Sequence, residues 1–256
     1  MKTKLQGKIV FITGASSGIG AACARAFAEQ GANLVLTARN IDKLIGLAAE
    51  LEQKYNIKVI ALKMDVRDRV AIKTAIAQLP CGGKNVDILI NNAGLALGME
   101  KVVDGNSDDW DVMIDTNVKG VLNVCKELLP GIVENEGQII NIGSVAGIYP
   151  YINGAVYCAS KAAVKFITDA IRMEMVDKPI KVTNIQPGMV ETEFSMVRFK
   201  GDSERAKKIY AGITPLTPED IADIVVYTAV QPKHVQICEV TVTALHQAPV
   251  GAIYKK

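Results

Sequence analysis

Short apolar runs rich in β-branched residues recur along this chain, with segments of helical periodicity between them. Such runs are typical of strands buried on both faces of a sheet, and the intervening segments are long enough to be crossover helices. Parallel strands need crossovers, and both faces of their sheet must be covered, so the alternation predicts a doubly wound α/β fold with helices on both faces. About seven parallel strands are expected, in the sequences KIVFIT, NLVLTA, KVIALKMD, VDILIN, GQIINIG, IKVTNI and EVTVTAL.

The chain shows no internal boundary. Its 256 residues suit one sizeable domain, and no Pro/Ser-rich linker, low-complexity tract or repeat divides them. We therefore expect a single domain over residues 1–256. The segment from about residue 189 to 214 differs, because it is rich in charge and delays the next crossover helix. It follows a predicted strand end, where open α/β sheets bind ligands, and so predicts a substrate lid.

Charge and cysteine usage narrow the classes of partner. The chain has 29 Lys+Arg against 27 Asp+Glu and no basic block, which argues against a nucleic-acid partner. The five cysteines are scattered without metal-type spacing, and there are two histidines, so we expect reduced thiols and no metal site. No apolar run has the length of a signal-peptide core or a membrane span, which predicts a cytoplasmic protein with no membrane partner.

The first predicted strand leads into a glycine turn and then a helix, in KIVFITGASSGIGAACARAF. Gly14, Gly18 and Gly20 let the backbone turn sharply and approach a pyrophosphate, while the helix N-terminus offers free N–H groups and a positive dipole end. Ser16 and Ser17 add hydroxyl donors. Any tight strand-to-helix turn favours glycine, but a strand before and a helix after favour a dinucleotide site.

The second predicted strand ends in LVLTARN, where a nucleotide fold places the adenosine ribose. An acid at this point would accept from the ribose 2′-hydroxyl, and an arginine would pair with a 2′-phosphate. The strand ends in Arg39, with no carboxylate until Asp42. The sequence therefore favours NADP(H) over NAD(H), with Arg39 binding the phosphate. The alternative is a solvated arginine at a strand end.

Tyr157 and Lys161 lie four residues apart in the apolar stretch GAVYCASKAAVKF. At helical spacing they share one face. A lysine cation beside a phenol stabilises the phenolate and lowers its pKa, which suits a proton donor near neutral pH. The spacing alone equally describes an amphipathic helix with a snorkelling lysine. Ser144 ends the predicted strand GQIINIGS, where a hydroxyl points into the ligand crevice; a helix-capping serine is the alternative.

Taken in order, these motifs resemble the short-chain dehydrogenase/reductase family, of the single-domain, Rossmann-like kind. The resemblance covers essentially the whole chain and rests on TGASSGIG at 13–20, DV at 65–66, NNAG at 91–94, Asn117, Ser144, YCASK at 157–161 and PGMVET at 187–192. It implies that Tyr157 is the catalytic acid/base and that Ser144 holds the substrate carbonyl or hydroxyl. It also implies that Lys161 binds the nicotinamide ribose and lowers the pKa of Tyr157.

Further roles follow from the same resemblance. Asn117 looks like the family asparagine that holds a water linking Lys161 to solvent. The resemblance also implies cofactor binding by NNAG, PGMVET and Asp65. The alternatives are that the two motifs form ordinary turns and that Asp65 caps a helix. The cofactor contacts that the resemblance implies are Gly14, Ser16, Ser17, Gly18, Ile19, Gly20, Arg39, Asp65, Val66, Asn92, Ala93, Gly94, Tyr157, Lys161, Pro187, Gly188, Val190 and Thr192.

A narrower resemblance, to the NADP-dependent 3-hydroxy acid dehydrogenases, lies in NNAGLALGME, DWDVMIDTNVKG, NIGSVAGIYPY and TEFSMVRFKGD. That group oxidises serine and allo-threonine and reduces malonic semialdehyde. It implies hydride transfer between NADP(H) and the 3-hydroxyl carbon of a short hydroxy acid, with 3-hydroxyisobutyrate and 3-hydroxypropionate as further candidates. QPGMVETEF departs from the group, since an acidic residue before PG and a glycine before TEF are missing. The substrate carboxylate needs a cation, for which Arg198 and Lys200 are candidates; a solvated lid surface is the alternative.

Two other functions remain open from the sequence. A reductase of ketones or 3-oxoacyl thioesters on the same scaffold would differ in its lid contacts. A non-catalytic NADP(H)-sensing module would have no need of Ser144, Asn117, Tyr157 and Lys161 together. The family commonly pairs the helices in NVCKELLPGIVENEG and around Tyr157, which implies a homotetramer. The C-terminal ALHQAPVGAIYKK either reaches a neighbouring subunit or closes the site.

Overall fold

The computed structural model describes residues 4–248 and 252–255. Within them, seven strands form one sheet: β1 Ile9–Thr13, β2 Asn33–Ala38, β3 Val59–Lys63, β4 Ile88–Asn91, β5 Gln138–Ile142, β6 Lys181–Pro187 and β7 Glu239–Val242. All neighbouring strands are parallel, in the order β3-β2-β1-β4-β5-β6-β7. The predicted parallel sheet and its seven strand sequences are confirmed.

Helices cover both faces of the sheet. In the described ranges they are α1 Gly18–Glu29, α2 Ile41–Tyr55, α3 Arg69–Ala77, α4 Ser107–Ile114, α5 Gly120–Glu134, α6 Ala155–Glu174, α7 Phe194–Arg198, α8 Ser203–Tyr210 and α9 Pro218–Ala229. Leu51 of α2 and Ile221 of α9 belong to the apolar cluster on one face. Val124 of α5 and Val164 of α6 belong to the cluster on the other. No helix of the described residues is long and apolar enough to cross a membrane.

Strand residues alternate between the two apolar clusters. On β1, Val10 and Ile12 pack in the first cluster, and Phe11 between them packs in the second. All three are fully buried. Because both faces need apolar side chains, the strand reads as an unbroken apolar run rather than an alternating one.

The sheet order places a crevice at its centre. β1 lies between β2 and β4, so successive strands are added on opposite sides of β1. In open α/β sheets, ligands bind outside the carboxyl ends of the strands where the order reverses in this way. The loops that follow the strands at this edge of the sheet are therefore those that can build a site.

Buried amides tie the strands near this edge to the helix that carries Tyr157. Asn91 of β4 pairs in register with Asn141 of β5. The Asn91 side-chain amide donates to Asn141 Oδ1 at 2.9 Å, and Asn141 donates in turn to Thr168 Oγ1 on α6 at 2.8 Å. Bonded amides inside a core fix one arrangement, since any other would leave buried polar groups unpaired. α6 is thereby fixed against β4 and β5.

Short elements complete the neighbourhood of the crevice. A π-helical turn, Asp115–Lys119, joins α4 to α5 and contains Asn117. A 3-10 turn, Val145–Gly147, follows Ser144. The helices α7 and α8 lie between β6 and α9, inside the segment 189–214. Single π turns within helices are frequent at functional sites.

Candidate active site

A cavity of about 660 Å³ opens at the carboxyl ends of the central strands. It runs from the glycine turn after β1 to the helices α7 and α8. Most of the predicted site residues line it: Gly14, Ser16, Ser17, Gly18, Ile19, Arg39, Asp65, Val66, Asn92, Ala93, Gly94, Ser144, Tyr157, Lys161, Pro187, Gly188, Val190, Thr192 and Arg198. Gly20, Asn117 and Lys200 are not part of its wall.

The glycine turn has no room for a side chain at Gly14 or Gly20. Gly14 has φ +65°, and a Cβ there would lie 2.9 Å from the Cα of Ala93. A Cβ on Gly20 would lie 2.4 Å from the carbonyl oxygen of Gly14. Gly20 thus closes the turn from behind, whereas Gly14 allows β4 to approach it.

Asn92 supports this turn. Its side-chain amide donates to the carbonyl oxygens of Thr13 at 2.9 Å and Gly14 at 3.1 Å. The side-chain amide of Asn92, a predicted cofactor contact, is thus bonded within the protein, and the amide of Asn91 is bonded to Asn141. The motif contributes to the site mainly by holding the backbone of the turn.

The first turn of α1 is free to bind an anion. Ser17 is the N-cap residue, but its side chain makes no capping hydrogen bond. The N–H groups of a first helical turn have no partner within the helix, and the helix dipole adds positive potential there. Ser17 lines the cavity with Ser16 and Gly18. A pyrophosphate fits this cradle.

The far end of the cavity carries two arginines. Arg39 is exposed where it borders the cavity. Arg67, which the sequence reasoning missed, donates from Nη2 to Oδ2 of Asp65 at 2.7 Å. This hydrogen bond, with smaller Coulombic contributions from Arg67 and Arg39, holds the pKa of Asp65 below its usual value. Asp65, whose pKa the charge of Arg39 also lowers, is therefore already paired.

Tyr157 and Lys161 share one face of α6 at the opposite end. Lys161 is 7% exposed, and burial lowers the pKa of its ammonium to about 8. Its Nζ donates to the carbonyl oxygen of Ile142 at 2.8 Å. The acceptor matters because a deeply buried charge without a hydrogen-bond partner is strongly unfavourable.

The pKa of Tyr157 differs from the expectation. Burial raises it above the usual value, and a hydrogen bond with Ser144 and the charge of Arg198 offset the rise only in part. We expected Lys161 to lower the pKa of Tyr157, but the net change is a rise. Removing the phenol from water disfavours the phenolate, and this is the largest effect. Ser144 also accepts from the backbone N–H of Ala146 at 3.1 Å, so it caps the following turn and faces the cavity as well.

Asn117 lies directly behind this pair. Its Oδ1 accepts from Leu95 N at 2.9 Å, and its amide donates to Ser160 Oγ at 2.9 Å. A Cβ on Gly94 would lie 3.2 Å from Oδ1 of Asn117 and 3.3 Å from Nζ of Lys161. The two side chains therefore approach the same small gap. A carbonyl oxygen has two lone pairs, so Oδ1 can still accept from a water.

The two lid cations that were candidates for binding the substrate carboxylate have different positions. Arg198 donates from Nη2 to Tyr151 Oη at 2.7 Å, and its guanidinium carbon lies 5.1 Å from the ring centre of Tyr157. The prediction that Lys200 binds the substrate carboxylate is wrong in this structure. Its Nζ pairs with Asp109 at 2.9 Å, and Lys200 is not part of the cavity wall. Its side chain is 60% exposed.

The C-terminal segment contributes residues that the sequence reasoning did not assign. Gln247 is buried, and its Oε1 accepts from the backbone N–H of Met189 at 2.9 Å. An isolated antiparallel bridge joins it to Ile253, and both residues line the cavity. The described part of the tail therefore lies against the site of its own chain. No local feature of the sequence marks this contact.

A glycine cradle at the N-terminus of α1 and a buried Tyr–Lys pair, joined by one cavity, define a dinucleotide-dependent dehydrogenase. The short chain dehydrogenase family matches residues 8–203. The chain belongs to this family, as the sequence motifs predict.

Individual relatives agree with the narrower resemblance. An NADP-dependent 3-hydroxy acid dehydrogenase of Schizosaccharomyces pombe is 43% identical over 99% of both chains. Sulfoacetaldehyde reductase 2 of Chromohalobacter salexigens is 43% identical over 94% of this chain and 95% of its own. The closed form of serine dehydrogenase complexed with NADP+ superimposes with a TM-score of 0.89 at 41% identity, covering 97% of this chain and 99% of that one.

Proposed function

We propose that this protein transfers a hydride between NADP(H) and the carbon bearing the 3-hydroxyl group of a short hydroxy acid. The observation that carries the proposal is Arg198, whose guanidinium lies beside the ring of Tyr157 in the cavity that also contains the glycine turn. None of the ion pairs of the described residues includes Arg198. An unpaired cation beside a proton-transferring phenol suits an anionic substrate.

The cofactor assignment rests on the residues present. The first turn of α1 and the glycine turn would bind the pyrophosphate, and Arg39 would bind the 2′-phosphate. The carboxylates that line the cavity, Asp65 and Glu193, are paired with Arg67 and Lys43, so neither is free to favour a 2′-hydroxyl. When bound, the nicotinamide supplies or accepts the hydride. The NADP+ complex of the similar serine dehydrogenase supports the same choice.

The proton chemistry belongs to the side chains at the end of β5 and on α6. Tyr157 takes the hydroxyl proton during oxidation and returns it during reduction, while Ser144 holds the reacting oxygen. The raised pKa keeps the phenol protonated near neutral pH, which suits the donor role in reduction. Lys161 stabilises the phenolate when it forms, and Asn117 holds the water through which Lys161 exchanges its proton.

Arg198 would set the substrate class. The substrate acids are serine, allo-threonine, 3-hydroxyisobutyrate and 3-hydroxypropionate, with malonic semialdehyde as a substrate for reduction. Oxidation of serine would give an aminoaldehyde acid prone to decarboxylation. A guanidinium binds a sulfonate with the same donors, and 43% identity to a sulfoacetaldehyde reductase makes short hydroxysulfonates the second candidate.

Two further expectations accompany this function. We propose that the segment 189–214 acts as a lid, since Phe194 of α7 and Tyr210 of α8 line the cavity. We also propose a homotetramer, in which α5 and α6 pair with a second copy. Exposed apolar side chains support this, with Phe166 71% and Met173 76% exposed on α6. Light scattering of the purified protein tests the assembly.

A panel of substrates tests the function. Initial rates would be measured with NADP+ on the four hydroxy acids, on the hydroxysulfonate isethionate, and on neutral alcohols of equal length. Reduction of bulky ketones and 3-oxoacyl thioesters would be measured in parallel. Turnover confined to the short anions supports the proposal. Turnover confined to ketones or thioesters would keep the family and reject the substrate, and binding of NADPH with no turnover would favour a sensing module.

A further inference from the structure

The nitrogens of Arg198 are unequally satisfied. Nη2 donates to Tyr151, but Nε is buried and has no hydrogen-bond partner within the described chain. A buried donor without an acceptor is unfavourable, so native proteins rarely leave one unpaired. An acceptor for Nε is therefore expected nearby.

A matching acceptor lies in the same place. Oδ1 of Asn153 is likewise buried and without a partner among the described residues. Asn153 and Arg198 both line a chamber of about 30 Å³ beside Tyr157, together with Glu100. A donor that lacks an acceptor and an acceptor that lacks a donor thus share one chamber, which is large enough to hold a water.

The backbone around Asn153 supports a specific role. Asn153 has φ +67°, a left-handed conformation that asparagine tolerates better than most residues. The segment 151–154 directly precedes α6, which begins at Ala155 and carries Tyr157. Tyr151, at the start of this segment, already bonds Nη2 of Arg198. One turn therefore contacts the lid arginine and leads into the helix of the proton-transferring tyrosine.

We infer that Asn153 is a positioning residue, which accepts from Nε of Arg198 and so fixes the guanidinium for an anionic substrate. The bond is direct after a side-chain rotation, or it is bridged by one water in the chamber. With Nη2 held by Tyr151 and Nε by Asn153, Nη1 is left to meet the anion. The inference rests on the proposed function for its ligand, but the hydrogen bond itself does not.

The variant Asn153→Gly removes Oδ1 and keeps the left-handed backbone, because glycine adopts positive φ freely. A matched control is Asn56→Gly, since Asn56 has φ 53° at the exposed end of α2. We expect KM for 3-hydroxypropionate to rise about tenfold in Asn153→Gly, the effect of losing one hydrogen bond to a charged group. The kcat should change far less, and KM for the uncharged methyl ester should change less than twofold.

A crystal structure of the wild-type enzyme tests the bond without any turnover. The inference predicts Nε of Arg198 within hydrogen-bonding distance of Asn153 Oδ1, or both atoms bonded to one shared water. An Nε bonded elsewhere overturns it, as does an equal rise of KM for the acid and its ester. If the bond is present and the wild-type enzyme oxidises no short anion, the proposed function fails and the positioning of Arg198 stands.

Discussion

The ammonium of Lys161 on α6 donates a 2.8 Å hydrogen bond to the carbonyl oxygen of Ile142, the last residue of β5. This bond joins the helix of Tyr157 to the strand that leads into Ser144. It also keeps a buried charge close to the tyrosine, and burial lowers the pKa of that ammonium to about 8.

The lowered pKa predicts how Lys161 affects stability at different pH. In the unfolded chain the ammonium titrates near its ordinary pKa of 10.5, so between pH 8 and 10.5 the unfolded state binds more protons than the folded state. Stability linked to this group therefore rises with pH in that window. Relative to Lys161→Met, the wild-type free energy of unfolding should increase by about 2 kcal/mol from pH 8 to 9.5. Urea unfolding of both proteins at each pH measures this, and a constant difference would contradict it.

The same substitution, glycine to alanine, should have opposite effects on stability at Gly20 and at Gly46. A Cβ at Gly20 would lie 2.4 Å from backbone, whereas a Cβ at Gly46, in the middle of α2, meets nothing within 4 Å. Gly20→Ala should destabilise by roughly 1–3 kcal/mol and weaken NADPH binding, because the turn must shift. Gly46→Ala should stabilise by about 0.5–1 kcal/mol. Thermal unfolding and fluorescence titration with NADPH test both, and tolerance of alanine at position 20 would refute the account of the turn.

Arg39 predicts the cofactor preference. Arg39→Ser should raise KM for NADP+ about 10- to 100-fold, because charge-assisted bonds to the 2′-phosphate are lost. KM for NAD+ should change little. Arg25→Ser is the control, since Arg25 pairs with Glu50 at 2.9 Å on the surface of α1 and α2. An equal loss with both cofactors would assign Arg39 a structural role instead.

The two lid cations allow a direct comparison. Arg198→Met should raise KM for short hydroxy acids by about 10- to 100-fold, because it removes the cation that lies beside Tyr157. Lys200→Met should leave KM within about twofold, since exposed pairs such as Lys200 with Asp109 contribute little. Steady-state kinetics on both variants decide the matter. A larger effect at Lys200 would show that the lid rearranges when substrate binds.

The sequence predicts the sheet well because the strands are locally encoded. All seven apolar runs become strands, and the fixed spacing of Tyr157 and Lys161 survives because both lie on one helix. The lid is less predictable. Arg198 ends α7, whereas Lys200 follows it with φ +51°, and its ammonium meets Asp109. Spacing alone cannot distinguish two cations when a helix end separates them.

Long-range contacts also escape sequence reasoning. Gln247 bonds Met189 across 58 residues, and nothing local marks that pairing. Arg67 is close to Asp65 in sequence, but the sequence does not show that this pair lines the same cavity as Arg39. That depends on how the ends of β2 and β3 are placed side by side. The pKa of Tyr157 is a property of burial, and a four-residue spacing predicts a neighbour without predicting how much water is excluded.

The central claim is tested most directly by initial rates of NADPH formation from serine, allo-threonine, 3-hydroxyisobutyrate and 3-hydroxypropionate, with wild-type protein and Tyr157→Phe. We predict turnover of these acids with NADP+, much weaker turnover with NAD+, and a loss of about 10³-fold in kcat in the variant. NADPH binding by Tyr157→Phe, measured by fluorescence, serves as the folding control. Absence of turnover by the wild-type enzyme with all four acids would contradict the account. Undiminished activity of Tyr157→Phe would contradict it as well.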